Sequence, residues 1–228
     1  MRVLRELRDK GLYEKALLVV SGLPQAVRTQ APIRFREARL LYLLGRYDEA
    51  MTLLSELPAS PQCEDLLRKC VEEYSGFLEA LGHHEMAVDI HGAMVGRVPD
   101  DVTAIINQGI SYAMADDYDR ALACFNRAIE MAPENEKALY NKGVALVDLR
   151  RLDDAVRCFD KVIHLNRSNA LAWHQKAVCL RLMAEGMAMP WSRSAKLEEA
   201  RQCLGKALRI DPNLREAREL LDKISGGS

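Results

Sequence analysis

The chain has 228 residues, 49% of them apolar but only 6% aromatic, with 13 glycines and 8 prolines. That composition favours an alanine- and leucine-rich helical protein over a strand-rich one. A formal charge of −1 leaves no basic surplus to hold a nucleic-acid backbone and no acidic excess that would keep the chain unfolded.

The opening residues, MRVLRELRDKGLYEKALLVV, carry charge throughout and lack the uninterrupted apolar stretch of a signal peptide. No apolar run in the chain approaches the roughly 18 residues that a membrane span needs. Two segments are related to each other, GLYEKALLVVSGLP (Gly11 to Pro24) and GRYDEAMTLLSELP (Gly45 to Pro58). In both an early proline shortens the second helix of the unit by about a turn, because proline lacks an N–H and disfavours helix in the residue before it. Too few residues precede Ala16 for a full first helix, so the leading unit reads as truncated, which fits a piece of a longer chain. The stretch PASPQC (Pro58 to Cys63) is the expected joint between these two segments and the rest of the chain.

One alanine recurs in a shared setting at Ala16, Ala50, Ala87, Ala121, Ala155 and Ala200, at intervals of 34, 37, 34, 34 and 45 residues. Four residues after each stand Val20, Leu54, His91, Phe125, Phe159 and Leu204; seven after stand Leu23, Leu57, Met94, Ala128, Val162 and Ala207. Twelve after, the last four units read Pro99, Pro133, Arg167 and Pro212, while Gly109 and Gly143 lie twelve before their alanines. Apolar residues at steps of three and four make one stripe on a helix. Each unit shows two such stripes, so it is a helix pair with small residues where the helices approach. A single pair cannot bury both faces, and the pairs must stack. The last interval carries 11 extra residues, expected near 184–196 between the two helices of the sixth unit. A polar-faced capping helix is expected over 213–225, with a tail at 226–228.

This 34-residue frame, best seen in Val102 to Asn135 with its ending YDRALACFNRAIEMAPEN, resembles the tetratricopeptide repeat over nearly the whole chain. The resemblance implies a right-handed α-solenoid of about six helix pairs plus the capping helix: two short divergent units in 1–58 and four in 62–212. It also implies that first helices line a concave groove that binds peptide segments. Carried over position by position, that groove is Ile106, Asn107, Ile110 and Ala113, then Lys137, Tyr140, Asn141, Val144 and Val147, then His174, Gln175, Val178 and Arg181. Asn107, Asn141 and Gln175 form a row of amides, which offer both donor and acceptor to an extended backbone. The plainer reading is that these residues are partly buried in the stack. The carboxylate clamp of some members is not expected here: Asn107 and Lys137 fill two of its places, but Glu72, Gly76 and Asn141 depart from it and Glu72 and Glu73 repel a terminal carboxylate.

Charge is segregated along the chain: residues 1–46 carry +6, 47–117 carry −11 and 118–228 carry +4. The acidic middle suits a basic partner or self-association with a neighbour's basic end, against the plainer reading of solvated helix faces. Met187, Met189 and Trp191 in the insertion suit a secondary protein contact, unless Trp191 folds back on its own unit. His91 takes the place of a packing phenylalanine beside His83 and His84, and no cysteine joins them at known ligand spacing. The six cysteines fall inside helical patterns with no CxxC pair and read as free thiols in a reducing compartment, the cytoplasm by default. No phosphate-cradling glycine loop, GxSxG or HExxH is present. The expectation is therefore a non-catalytic scaffold or adaptor for a protein or peptide partner, without cofactor, metal or nucleic acid. The other reading is the substrate-docking arm of a larger multidomain enzyme.

Overall fold

The computed structural model describes residues 11–225; the segment before Gly11 and the 226–228 tail lie outside the described residues. Thirteen helices and no strand stand within them: α1 (Tyr13–Ser21), α2 (Gln25–Arg28), α3 (Ala31–Leu43), α4 (Tyr47–Ser55), α5 (Pro61–Ala80), α6 (His84–Arg97), α7 (Val102–Met114), α8 (Tyr118–Met131), α9 (Glu136–Asp148), α10 (Leu152–Leu165), α11 (Ala170–Glu185), α12 (Pro190–Ile210) and α13 (Arg215–Ser225). The fold is an all-α solenoid of helix pairs. None of these helices is long and apolar enough to cross a membrane. They form two compact units that divide between Ala104 and Ile105, inside α7.

The 34-residue period is written into the helix ends. First helices α7, α9 and α11 start at Asp101, Asn135 and Asn169, whose side chains accept from Ala104 N at 3.1 Å, Ala138 N at 2.9 Å and Ala172 N at 2.9 Å. Such caps satisfy amide groups that have no partner within the helix. The turn to the second helix then passes through one left-handed residue, at Gly11, Gly45, Gly82, Asp116 and Arg150. At the last four of these the next amide bonds back to the preceding helix, as Arg46 N does to Leu41 O at 2.9 Å and Arg151 N to Leu146 O at 2.8 Å.

In the first unit the anchors Ala16, Ala50 and Ala87 are fully buried. The helices α1 and α4 have 9 residues each against 14 in α6, as the early prolines imply. The short α2, between the first two repeats, has no counterpart in the repeat pattern. Leu54 and Leu57 pack in one cluster with Cys63, Leu66, Leu67 and Cys70, so the core runs unbroken past PASPQC. Arg97 reinforces the passage, with Nη1 donating to Ser55 O at 2.8 Å and Nη2 to Leu57 O at 3.0 Å.

In the second unit Ala121, Ala155 and Ala200 are buried with Phe125, Phe159 and Leu204. A Cβ on Gly109 or Gly143 would come within 2.7 Å of the Phe125 or Phe159 ring, respectively. Those two glycines are what let the paired helices close on the aromatic. The 11 extra residues of the sixth repeat do not form an excursion between helices. The second helix α12 has 21 residues against 14 in α8 and α10, the first helix α11 has 16 against 13 in α7 and α9, and the connection at 186–189 is one residue longer. Extra turns absorb the insertion because a helix satisfies its own backbone groups where a loop leaves them to solvent. The helix α13 closes this unit, with Ala217, Leu220 and Ile224 packed on Ala177, Leu204 and Ala207.

Candidate functional site

The expected groove residues lie on the first helices α7, α9 and α11 of the second unit, at equivalent turns of each. Lys137 is exposed. Asn107, Ile110, Tyr140, Asn141, Val144, His174, Gln175, Val178 and Arg181 are half-buried, as are Ala113 and Val147. Ile106 is the departure: at 1% exposure it belongs to the core and leaves the set. The cause is the side chain: its equivalents Tyr140 and His174 end in polar groups that stay near the surface, whereas Ile106 is apolar throughout and is enclosed completely.

The polar members are tied to one another across the helices. Lys137 Nζ donates to Asn107 Oδ1 at 2.9 Å, which links α9 to α7. Asn141 Nδ2 donates to Lys137 O at 2.8 Å, within α9. Gln175 of α11 adjoins Tyr140 of α9. The Tyr140 ring stands edge-on to Phe159 with centroids 5.8 Å apart, and burial pushes its phenol up. Asn107 is thus held from the neighbouring helix and Asn141 from within its own. Those bonds use the acceptor of Asn107 and the donor of Asn141, leaving the amide N–H groups of the first and the oxygen of the second outside them. Between these polar points, Ile110, Val144 and Val178 supply apolar surface.

Burial pushes His174 down, with Glu216 of α13 acting in the opposite sense. Arg181 pairs with Glu185 one turn along α11, while its Nε is buried without a hydrogen-bond partner. The arrangement can bind through hydrogen bonds and apolar contact; among the described residues no three His, Cys, Asp or Glu come together in a way that could hold a metal ion.

The remaining candidates are spread elsewhere. Met189 and Trp191, at the start of α12, are 59% and 75% exposed, so Trp191 does not fold back on its repeat. Met187 is half-buried and its sulfur accepts from Ser192 Oγ at 3.4 Å. His83 is exposed, His84 half-buried and His91 buried in the phenylalanine position. All six cysteines are unpaired and five are buried; burial pushes the Cys70 and Cys179 thiols up to about 12, where they are inert. Lys142 and Lys161, which the repeat pattern does not single out, line a cavity on another side of α9. Their signal in the sequence is the difference between Asn126 and its equivalent 34 residues on, Asp160.

Models of the tetratricopeptide repeat match residues 106–170 and 31–56. No curated protein matches the sequence. Among solved structures the chain is similar to the MamA protein, at 17% identity over 80% of this chain and 92% of that one, with a TM-score of 0.59. It is similar also to YrrB, described as a TPR protein with an unusual peptide-binding site, at 17% identity over 83% and 91%, TM-score 0.58. A MamA from Desulfovibrio magneticus RS-1 matches at 19% identity over 71% and 85%, TM-score 0.56. At these identities the likeness is one of fold. Repeat models match in both units, on helix pairs that bury the motif's alanine, at Ala50 in the first and at Ala121 and Ala155 in the second, so the chain carries tetratricopeptide repeats.

Proposed function

We propose that the chain is a non-catalytic interaction scaffold and that the face shared by α7, α9 and α11 is its groove for an extended peptide or helical segment of a partner protein. The observation that carries this reading is the polar row tied across the helices by Lys137 and Asn107, with Tyr140 beside Gln175. Side chains already fixed by neighbours lose little further freedom on binding, so their contacts convert more fully into affinity. Half-buried Ile110, Val144 and Val178 between them give the apolar component that helix-in-groove and extended-peptide modes both use. YrrB, a protein of this fold, carries a peptide-binding site in its description. Six unpaired thiols support placement in a reducing compartment such as the cytoplasm.

The test compares proteins captured from a source lysate by the wild type, by Asn107→Ala/Asn141→Ala and by Val144→Arg, followed by calorimetry on the partner so identified. A partner lost by both variants supports the groove. Each amide removed is expected to cost about 1 kcal/mol of binding, roughly fivefold in affinity. Capture of the same proteins in the same amounts by all three would place the binding surface elsewhere.

A further inference from the structure

We infer that the cavity between α8, α9 and α10 is a second binding site, one that takes an acidic side chain and its aliphatic neighbour from a partner peptide. The cavity measures about 270 Å³, below the range of about 300–1,000 Å³ that encloses drug-sized ligands and cofactors. It has room for one or two side chains. Buried Leu139 and Leu146 form its base, which suits an aliphatic group.

The rim carries Lys142, Arg151, Arg157 and Lys161 against Asp154 alone, four positive charges and one negative. Asp154 already serves two of them, Arg151 Nη2 at 2.7 Å and Arg157. Neither Lys142 nor Lys161 is paired with a carboxylate among the described residues. Concave sites lined by one sign of charge concentrate their field, and a carboxylate between two ammonium groups accepts charge-assisted hydrogen bonds from both.

The next repeat supplies an internal control. Lys176 and Lys206 stand where Lys142 and Lys161 stand in the repeat frame. There, however, Lys176 meets Asp160 at 2.5 Å and Lys206 lies over the Trp173 ring at 4.2 Å. Asp160 is the equivalent of Asn126, which lines the cavity. An amide therefore occupies the position from which the following repeat neutralises its own lysine. The cations also reach the buried Cys158 thiol of the lining: burial pushes it up, Lys142, Lys161 and Arg157 act to lower it, and Asp154 alone acts with burial. This site stands independently of the groove. Leu139, Lys142 and Leu146 lie about 180° around α9 from Lys137, Tyr140, Asn141 and Val144, at about 100° per residue.

The experiment uses the full chain and a fluorescein-labelled, amidated hexapeptide of alternating leucine and glutamate, read by fluorescence anisotropy at low ionic strength. Expected is saturable binding that weakens as salt rises and falls at least about tenfold in Lys142→Gln/Lys161→Gln, which removes two charge-assisted contacts. Asn126→Asp, which supplies the missing carboxylate from within the chain, is expected to weaken binding to a similar extent while keeping both lysines. Lys176→Gln/Lys206→Gln is expected to bind as wild type. The inference is overturned if wild type shows no binding at about 1 mM protein, or if the leucine–glutamine peptide binds equally well. It is equally overturned if both lysine pairs matter alike, or if affinity drops in Asn107→Ala/Asn141→Ala and not in the cavity variants.

Discussion

At the scale of single residues, the left-handed turn position shows how a repeat tolerates a locally unfavourable side chain. The first three turns use Gly11, Gly45 and Gly82, but the next two use Asp116 at φ 59° and Arg150 at φ 58°. A left-handed conformation crowds Cβ against the following carbonyl at about 1–2 kcal/mol. The stacked helices on both sides of the turn hold the backbone there regardless. Arg150 is exposed and the bond that closes the turn, Arg151 N to Leu146 O, is made by the backbone. Arg150→Gly is therefore expected to stabilise the protein by about 0.5–1 kcal/mol, part of the relieved strain being returned as glycine's greater unfolded-state entropy. Urea titration checks this as a higher midpoint at unchanged slope; a lower midpoint contradicts it. His174 gives a pH effect of definite sign. Burial holds its folded pKa below the ordinary value of 6.5. As pH falls through about 6.5 the unfolded chain gains a proton that the folded chain does not. Stability is therefore lost progressively from that pH downward, and above it His174 contributes no pH dependence. The difference in urea midpoint between pH 7.5 and pH 5.5 is expected to shrink in His174→Gln, and an undiminished difference would refute the assignment.

At the scale of helices, close approach separates glycines that look alike in sequence. Gly143 of α9 faces the Phe159 ring, where an added Cβ would lie 2.7 Å from Cε1 and 2.8 Å from Cζ of a ring that is itself fully buried. Gly76 of α5 has nothing within 4 Å of the same built position. Alanine is the better helix former by about 1 kcal/mol. At Gly143 that gain competes with overpacking of about 1–3 kcal/mol against a ring that cannot retreat. Gly76→Ala is expected to raise the thermal midpoint and Gly143→Ala to lower it, with changes of about 1 kcal/mol in opposite directions; calorimetry with both changes of the same sign would undo the argument. This contrast marks what is legible in the sequence. The alanines, Phe125, Phe159 and the two glycines announce themselves because their spacing repeats. Ile106 does not, because the repeat frame sets it level with the half-buried Tyr140 and His174, and position alone does not reveal that a side chain without a polar tip is enclosed there. The insertion reads as a loop because AEGMAMPWSRSAK carries Gly and Pro, which punctuate loops, yet Pro190 falls in the first turn of α12, where its missing N–H costs nothing.

At the scale of the whole molecule, the division between Ala104 and Ile105 is illegible in sequence because the 34-residue period from Ala87 to Ala121 runs straight through it. What the period does predict is how each compact unit fails. In a repeat stack, stability is a sum of unit terms and nearest-neighbour interfaces, so loss of one element is felt first by the element it covers. The helix α13 has charges of both signs on one side and Ala217, Leu220 and Ile224 on the other, and all three are buried against α11 and α12. Arg201 of α12 also donates from Nη2 to Ile224 O at 2.8 Å. Deleting residues 213–228 removes this cover from Ala177, Leu180, Leu204 and Ala207. Burying a leucine and an isoleucine is worth about 1.5–3 kcal/mol each, so the second unit is expected to lose about 3–6 kcal/mol. Trp173 packs on the same cluster, whereas Trp191 is 75% exposed and acts as a constant background that Trp191→Phe removes. In that background, the Trp173 fluorescence transition in urea should move to lower concentration on deletion, while light scattering rises as the uncovered α11–α12 face seeks another apolar surface. A Trp173 transition at the same midpoint as the full-length chain would mean that α13 lies on this unit without stabilising it.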